Sequence, residues 1–254
     1  MPFALRSIAA AAFLSCVAFV PALAVESLPQ GFAYLRDIDA TVRQDMRYAG
    51  AHNFIGRPIA GYSAPECVLT ERAARALAEV QAALAPRGYA LIVWDCYRPV
   101  RAVTEFVRWT QEPDARMKVE FYPRADKTRL VALGYIAARS THSGGSAVDI
   151  GLVPLSLTAP PSWSGAPLVP CTAPKGVRFN DGAVDLGTGF DCFDERAHFG
   201  QAGIGAPARA NRVLLRDAMV RYGFVPYDRE WWHFRLADQP FPGRAFDFPI
   251  PPRY

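Results

Sequence analysis

Six prolines interrupt the second half of this 254-residue chain, at Pro154, Pro160, Pro161, Pro167, Pro170 and Pro174. Proline lacks the backbone N–H that helices and sheets use, and its ring fixes φ, so regular secondary structure cannot continue through such a stretch. Residues 154–175 are therefore predicted to form one long surface loop. Long loops in compact domains are often lids or binding loops.

Patterned segments on both sides of this loop predict a mixture of helices and strands. Apolar residues at helical spacing predict helices at residues 70–84, 99–110 and 208–222. Runs of strand-forming residues predict strands at residues 89–94, 146–153 and 231–236. Because no regular βαβ repeat connects them, the expected fold class is α+β: a single compact domain with a small central antiparallel sheet flanked by helices.

The first 24 residues have the pattern of an export signal. Arg6 precedes an apolar run from Ile8 to Val20, and small residues before Val25 allow cleavage after Ala24. The alternative is a membrane anchor, for which the run is short against about 30 Å of hydrocarbon. We expect residues 25–254 to remain as the folded domain, periplasmic or secreted, without stable membrane association.

Four of the five cysteines follow that signal: Cys67, Cys96, Cys171 and Cys192. An even number in an exported chain indicates two disulfides, for which three connectivities exist. We favour Cys67–Cys96 and Cys171–Cys192 because each pair joins neighbouring elements. A cysteine zinc site is the competing interpretation, but the chain has no CxxC spacing.

The composition is that of an ordinary globular protein, with 51% hydrophobic and 20% charged residues. The net charge of +4 is small, and the lysines and arginines are scattered along the chain. We therefore expect no nucleic-acid partner. The oligomeric state does not follow from the sequence.

Two of the four histidines stand in segments suited to a metal site. The first segment is Ser140-Thr-His-Ser-Gly-Gly-Ser-Ala-Val-Asp149, in which two glycines allow a sharp turn between His142 and Asp149. A catalytic zinc takes three protein ligands, and histidine nitrogen and aspartate oxygen both serve, at about 2.0–2.2 Å. The alternative is a glycine turn with an exposed histidine and a capping aspartate.

The second segment is Glu230-Trp-Trp-His233. An acid three residues before a histidine can converge with it on one cleft, with the histidine as third metal ligand and the acid as general base. The tryptophans lower the local polarity, which raises the pKa of the carboxyl group. The alternative is an aromatic core strand with a capping acid. His52 and His198 are assigned no metal-binding role.

In this order, the two segments resemble the zinc D-Ala-D-Ala peptidases, whose pattern is SxHxxGxAxD followed by ExxH. Other segments resemble the D-alanyl-D-alanine dipeptidases of the vancomycin-resistance type: Trp94-Asp-Cys-Tyr-Arg-Pro99, Phe190-Asp-Cys-Phe-Asp-Glu195, Asn211-Arg212 and Phe246-Asp-Phe-Pro249. The resemblance covers most of residues 30–250. The proline-rich loop is longer than the corresponding connection in that family, which affects the substrate range more than the reaction.

The resemblance implies a catalytic centre. His142, Asp149 and His233 correspond to the ligands of one zinc ion per chain, and Glu230 corresponds to the general base. Arg98 corresponds to the arginine that stabilises the anionic transition state. The implied reaction is the hydrolysis of D-alanyl-D-alanine to free D-alanine, a reaction of cell-wall metabolism, in a cleft of the domain.

Two further positions correspond to substrate contacts. Asp191 corresponds to the acid that receives the free amino group of the dipeptide, and Ser140 to a contact with its carboxylate end. Without the resemblance, Asp191 would be interpreted as part of a solvated acidic turn, and Arg98 as a surface arginine at a helix start.

Two other functions fit the same zinc centre. One is a D,D-carboxypeptidase or endopeptidase that acts on peptidoglycan stem peptides. The other is a zinc-stabilised binding domain without catalysis, since related folds host non-enzymes. Glu230 and Arg98 argue against the binding domain, which needs neither residue.

Overall fold

The computed structural model describes Met1 and residues 27–253. The export signal predicted at residues 1–24, Met1 apart, lies outside the described residues. In the part of the chain that is described, no helix is long and apolar enough to cross a membrane.

Seven strands and five α-helices are present in the described residues. The strands are β1 (Phe32–Tyr34), β2 (Arg43–Gln44), β3 (Val68–Thr70), β4 (Tyr89–Asp95), β5 (Ala147–Pro154), β6 (Phe224–Tyr227) and β7 (Glu230–Leu236). The helices are α1 (Leu35–Ile38), α2 (Glu71–Leu84), α3 (Val100–Trp109), α4 (Lys118–Phe121) and α5 (Ala206–Arg221). Each of the six predicted elements is found, with ends shifted by one or two residues.

The helix α2 and the strand β4 form for the reasons that the sequence indicates. The hydroxyl oxygen of Thr70 accepts a hydrogen bond from the backbone N–H of Ala73 at 3.3 Å and so caps the helix. Gly88, with φ of 83°, then turns the chain into β4. From Ala90 to Asp95 the strand is completely buried, as its continuous apolar run predicts.

Five of the strands form a central sheet in the order β2-β4-β5-β7-β6. The pairs β4–β5, β5–β7 and β6–β7 are antiparallel, which confirms the predicted antiparallel sheet. At one edge β2 adds a parallel pairing with β4, which the sequence did not indicate because this strand has two residues. The short strands β1 and β3 form a separate antiparallel pair.

The core consists of two apolar clusters. The first packs α2 and α5 against the sheet and includes the buried rings of Trp94, Trp231 and Trp232. The second is largely aromatic and is built around α3 and α4; it contains Tyr48 and Phe193. Aromatic rings of this second cluster face the candidate site described below.

Both favoured disulfides are present, Cys67–Cys96 and Cys171–Cys192. The first joins the residue before β3 to the residue after β4. The second joins two points within residues 155–194, a stretch that contains neither helix nor strand.

Candidate metal and catalytic site

The register of the central strands places three polar side chains in one row across the sheet. Asp95, the last residue of β4, lies opposite Asp149 of β5, and Asp149 lies opposite His233 of β7. Directly opposite residues in antiparallel strands have Cβ atoms about 4.5–5.5 Å apart, so their side chains are direct neighbours. The row therefore follows from the register of the strands.

His142 joins this row from a 3₁₀ turn, Thr141–Gly144, that ends two residues before β5. The hydroxyl oxygen of Ser140 accepts a hydrogen bond from the backbone N–H of His142 and caps the turn. Gly145 ends it with φ of 74°, and a Cβ there would lie 2.2 Å from the ring of Phe32. Glycine is therefore required at this position.

Three potential metal ligands converge at this point. The Nε2 atom of His142 lies 3.0 Å from Nδ1 of His233 and 3.2 Å from Oδ1 of Asp149. The Nδ1 atom of His233 lies 3.0 Å from the same carboxylate oxygen. His142 and Asp149 are buried, and His233 is partly buried. Two imidazoles and one carboxylate in this arrangement can hold one metal ion.

The other nitrogen of each imidazole has its own partner. Nδ1 of His142 lies 2.6 Å from the backbone carbonyl of Cys96, to which it can only donate, so Nε2 keeps its lone pair for a metal. Nε2 of His233 lies 3.2 Å from the hydroxyl of Thr141. These contacts orient both rings toward the ligand cluster.

The two imidazoles beside Asp149 favour its ionised form. Burial raises the pKa of this carboxyl group, but its interactions with His142 and His233 outweigh burial and bring the pKa below its usual range. Burial lowers the pKa of His233, which favours the neutral imidazole. An ionised carboxylate and neutral imidazoles are the forms in which these groups bind metals.

Arg98 lies beside the ligand cluster in a fixed orientation. Its Nε donates to Oδ2 of Asp95 at 2.8 Å, and its guanidinium reaches Oδ2 of Asp149 at 3.3 Å. The guanidinium also lies over the rings of Tyr48 and Phe106, at 5.2 and 5.0 Å from their centroids. The structure thus shows a largely buried arginine here, 13% exposed, instead of a surface one.

Glu230, the first residue of β7, lies next to the cluster without belonging to it. In the described chain no group donates a hydrogen bond to its carboxylate. Its pKa is raised well above the usual value, first by burial and then by the negative charges of Asp149 and Asp191. The sequence analysis attributed such a shift to the neighbouring tryptophans; the structure adds the charges of Asp149 and Asp191.

Asp191 is buried on the same cavity. Its Oδ2 accepts a hydrogen bond from the hydroxyl of Tyr48 at 2.8 Å. Burial raises the pKa of this acid, and the charge of Asp149 raises it further. Asp191 is thus a buried acid, in contrast to the solvated acidic turn that its neighbours in sequence favour.

All seven residues singled out from the sequence line one cavity of about 200 Å³: Arg98, Ser140, His142, Asp149, Asp191, Glu230 and His233. His52 and His198 do not line it. His52 is buried against Glu120, and His198 contacts the hydroxyl of Tyr135 at 3.1 Å, so neither approaches the ligand cluster.

Sequence reasoning missed several residues of the site. Asp95 is completely buried and orients Arg98, while Tyr62 donates a hydrogen bond to it at 2.6 Å. Tyr48 connects Asp191 to Arg98. Arg139 also lines the cavity, and no acid of the described residues pairs with it. Of these, Asp95 carried a signal, because a charged residue ending an apolar strand requires a buried partner.

An α+β domain that brings two histidines, an aspartate and a separate acid into one cavity has the site of a metal-dependent peptidase. Comparison with known proteins agrees. The family model described as D-ala-D-ala dipeptidase, Peptidase_M15, matches residues 29–160 and 177–251. The chain belongs to this family.

Curated relatives extend the match over nearly their whole length. A D-alanyl-D-alanine dipeptidase of Enterococcus faecium is 38% identical over 87% of this chain and 98% of the relative. One of Enterococcus faecalis is 35% identical over 88% of this chain and 100% of the relative. A solved zinc-bound vancomycin resistance D,D-pentapeptidase is 17% identical over 70% of this chain and 77% of that chain, with a TM-score of 0.36. That score is too low to support an inference.

Replacement of one ligand should remove metal binding without unfolding the protein. His233→Ala is expected to reduce the bound divalent metal from about one equivalent to below a tenth after dialysis, because two ligands hold a metal poorly. Metal analysis of the purified protein measures this. His198→Ala is the matched control and should keep the wild-type content; equal content in both variants would contradict the assignment of the ligands.

Proposed function

We propose that this protein hydrolyses D-alanyl-D-alanine to D-alanine with one zinc ion held by His142, Asp149 and His233. One observation carries the proposal: these three ligand atoms share a cavity with an unligated acid, Glu230, and a second buried acid, Asp191. The relatives named D-alanyl-D-alanine dipeptidase support the substrate.

The three ligand atoms fit zinc. Their separations of 3.0–3.2 Å are close to the edge of a tetrahedron, about 3.3 Å, whose corners lie 2.0–2.1 Å from the centre. Two imidazole nitrogens and one carboxylate oxygen are also a donor set that zinc accepts, with a fourth position left open. Zinc in such a site polarises a carbonyl group and lowers the pKa of water.

Glu230 is the candidate general base. Its carboxylate lines the cavity beside the ligand cluster, and no group among residues 27–253 donates a hydrogen bond to it, so it can take a proton from the attacking water at a carboxylate oxygen. The same oxygen then returns the proton to the nitrogen of the leaving D-alanine. A general base or acid contributes about 10²–10⁴-fold to a rate.

Arg98 is the candidate for stabilising the transition state. Attack on the amide places negative charge on the carbonyl oxygen, and a guanidinium stabilises this charge more than the neutral amide. Because Asp95 already fixes Arg98, little reorganisation is needed at the moment of reaction. Asp95 is fully buried, so its charge requires this pairing.

Asp191 is the candidate receptor for the free amino group. One of its carboxylate oxygens accepts from Tyr48, and a substrate ammonium can donate to the other. A longer peptide has an amide at this position instead of an ammonium, and it would leave the buried acid without a cationic partner. Such a loss of pairing disfavours longer substrates, which supports a dipeptidase over a carboxypeptidase on stem peptides.

The carboxylate end of the dipeptide has two candidate partners, Ser140 and Arg139. Both line the cavity. The oxygen of Ser140 accepts the capping hydrogen bond, so its hydroxyl proton stays available for donation. Arg139 supplies a cation that no described acid neutralises, and a guanidinium can bind a carboxylate with two parallel hydrogen bonds.

The reaction and its base can be tested together. The zinc-loaded protein is expected to release D-alanine from D-alanyl-D-alanine, and a chelator should abolish this release. Glu230→Gln should keep its zinc and lose about 10³-fold in kcat, because only proton transfer is removed. Mass spectrometry of products from D-alanyl-D-alanine and from a stem pentapeptide distinguishes the two peptidase activities; faster cleavage of the pentapeptide would overturn the proposal.

Arg139 should affect binding of the dipeptide more than its cleavage. Arg139→Ala is expected to raise KM by about tenfold and leave kcat within about twofold, since an exposed charge-assisted contact to a non-reacting group is lost. Arg139→Lys should recover part of the affinity. The amide of the same dipeptide, which lacks the carboxylate, is the control substrate; an equal loss on it would exclude this role.

We also propose that the protein acts outside the cytoplasm, in the periplasm or as a secreted enzyme. The apolar run behind Arg6 supports this, as do the disulfides Cys67–Cys96 and Cys171–Cys192, because disulfides persist in oxidising compartments. N-terminal sequencing of the protein from an extracytoplasmic fraction should begin at Val25. A protein found only in the cytosol with Met1 retained would refute the location.

A further inference from the structure

Residues 161–176, which we call the inserted segment, are absent from the family pattern. The family model matches the chain up to residue 160 and resumes at residue 177. Cys171 lies inside this segment, and its disulfide partner Cys192 directly follows Asp191. The inserted segment is therefore bonded covalently to the chain at the position next to the proposed receptor for the substrate's ammonium.

Cys171 holds the chain on both sides of Asp191. Its backbone carbonyl accepts a hydrogen bond from the N–H of Gly189, two residues before Asp191, at 2.9 Å. Its sulfur is bonded to Cys192, one residue after Asp191. A single residue of the inserted segment thus fixes both flanks of the acid.

Cys171 is itself anchored to the domain through α4. Its backbone N–H donates to the carbonyl of Glu120 at 2.9 Å. Near the start of the inserted segment, the ring of Trp163 stacks on His52 with centroids 4.8 Å apart. His52 is buried, and its Nε2 lies 3.0 Å from the carboxylate of Glu120. The backbone of Cys171 directly, and the ring of Trp163 through His52, are therefore both linked to Glu120 of α4.

The backbone at Asp191 has an uncommon conformation. With φ of 54°, Asp191 is the one non-glycine residue of residues 27–253 in the left-handed region. This conformation persists in a non-glycine residue where the surrounding structure holds it. It is also the conformation in which the carboxylate meets the hydroxyl of Tyr48.

A more distant anchor acts on the same region of the chain. The guanidinium of Arg212 donates to the carbonyls of Leu186, Arg196 and His198 at 2.7–2.8 Å. These contacts enclose residues 187–195 as a whole, whereas Cys171 acts within two residues of Asp191. The backbone N–H of Phe193 also donates to the carbonyl of Phe121 at 2.8 Å, so loss of the disulfide should loosen the backbone next to Asp191 without releasing the whole loop.

We propose that the inserted segment is a clamp that positions Asp191 for the substrate's ammonium group, and that the Cys171–Cys192 disulfide closes it. The inference rests on the proposed function. Asp191 is the contact residue, and Cys171 is a positioning residue that acts through it. Opening the disulfide lets the backbone at Asp191 relax, and a buried ion pair depends strongly on the position of its groups.

The test compares two substrates on the zinc-loaded enzyme. One is D-alanyl-D-alanine, and the other is N-propanoyl-D-alanine, which has the same skeleton without the ammonium. Cys171→Ala/Cys192→Ala should lower the ratio of their kcat/KM values about tenfold, mainly through KM for the dipeptide. Zinc content should stay unchanged. The ratio does not depend on how much of a preparation is folded, because both substrates report on the same active molecules.

A double-mutant cycle separates positioning from a general structural effect. Asp191→Asn alone should also lower the ratio, and its effect should become smaller in the disulfide-free background, because both changes act on one contact. Additive effects, or an unchanged ratio without the disulfide, would overturn the clamp. If the disulfide-free protein does not fold, Trp163→Ala keeps both cysteines and should lower the ratio by a smaller factor; an unchanged ratio there also counts against the clamp.

The two proposals fail in different ways. If the wild-type enzyme does not cleave D-alanyl-D-alanine, the proposed function is wrong. If the wild-type enzyme cleaves the dipeptide with preference for the free ammonium and the disulfide-free enzyme keeps that preference, only the clamp is wrong.

Discussion

The site depends on the antiparallel register of β4, β5 and β7. This register places Asp95, Asp149 and His233 side by side, although the first and the last are 138 positions apart along the chain. A shift of one residue in either pairing would turn a ligand to the opposite face of the sheet. Both faces of β4 and β5 are buried, so such a shift would move each side chain into a packed space shaped for a different residue. The hydrophobic core thereby determines the geometry of the polar centre.

The cavity concentrates negative charge. Asp149, Asp191 and Glu230 all face it, and Asp95 lies directly behind. Arg98 already forms ion pairs with two of these acids, Asp95 and Asp149, so little positive charge is left at the centre to offset the others. Burial and mutual repulsion therefore raise the pKa values of Asp191 and Glu230. A divalent ion at the ligand cluster and an ammonium at Asp191 would supply the missing charge from two sides, which links the proposed cofactor and substrate to one electrostatic requirement.

Much of this could be predicted from the sequence, because the decisive features are local. The cap at Thr70, the apolar run of β4 and the glycine turn after His142 each lie within one short segment. The seven site residues were found through motifs whose order resembles a known family, and the structure brings them into one cavity. The short strands β1, β2, β3 and β6 were missed because two to four residues show no periodicity. Tyr48 and Arg139 were missed because only the folded chain brings them to the cavity, whereas Asp95 was missed although its partner Arg98 follows three residues later.

The hydrogen bond from His142 to the carbonyl of Cys96 has a consequence for how the enzyme matures. Cys96 belongs to one disulfide and touches a candidate metal ligand, while Cys192 belongs to the other and adjoins Asp191. One disulfide therefore holds the chain beside the metal ligand His142, and the other holds the chain beside Asp191. A chain whose four cysteines are reduced would lack both covalent links, so their oxidation would tighten the geometry around the metal ligands and around Asp191 together.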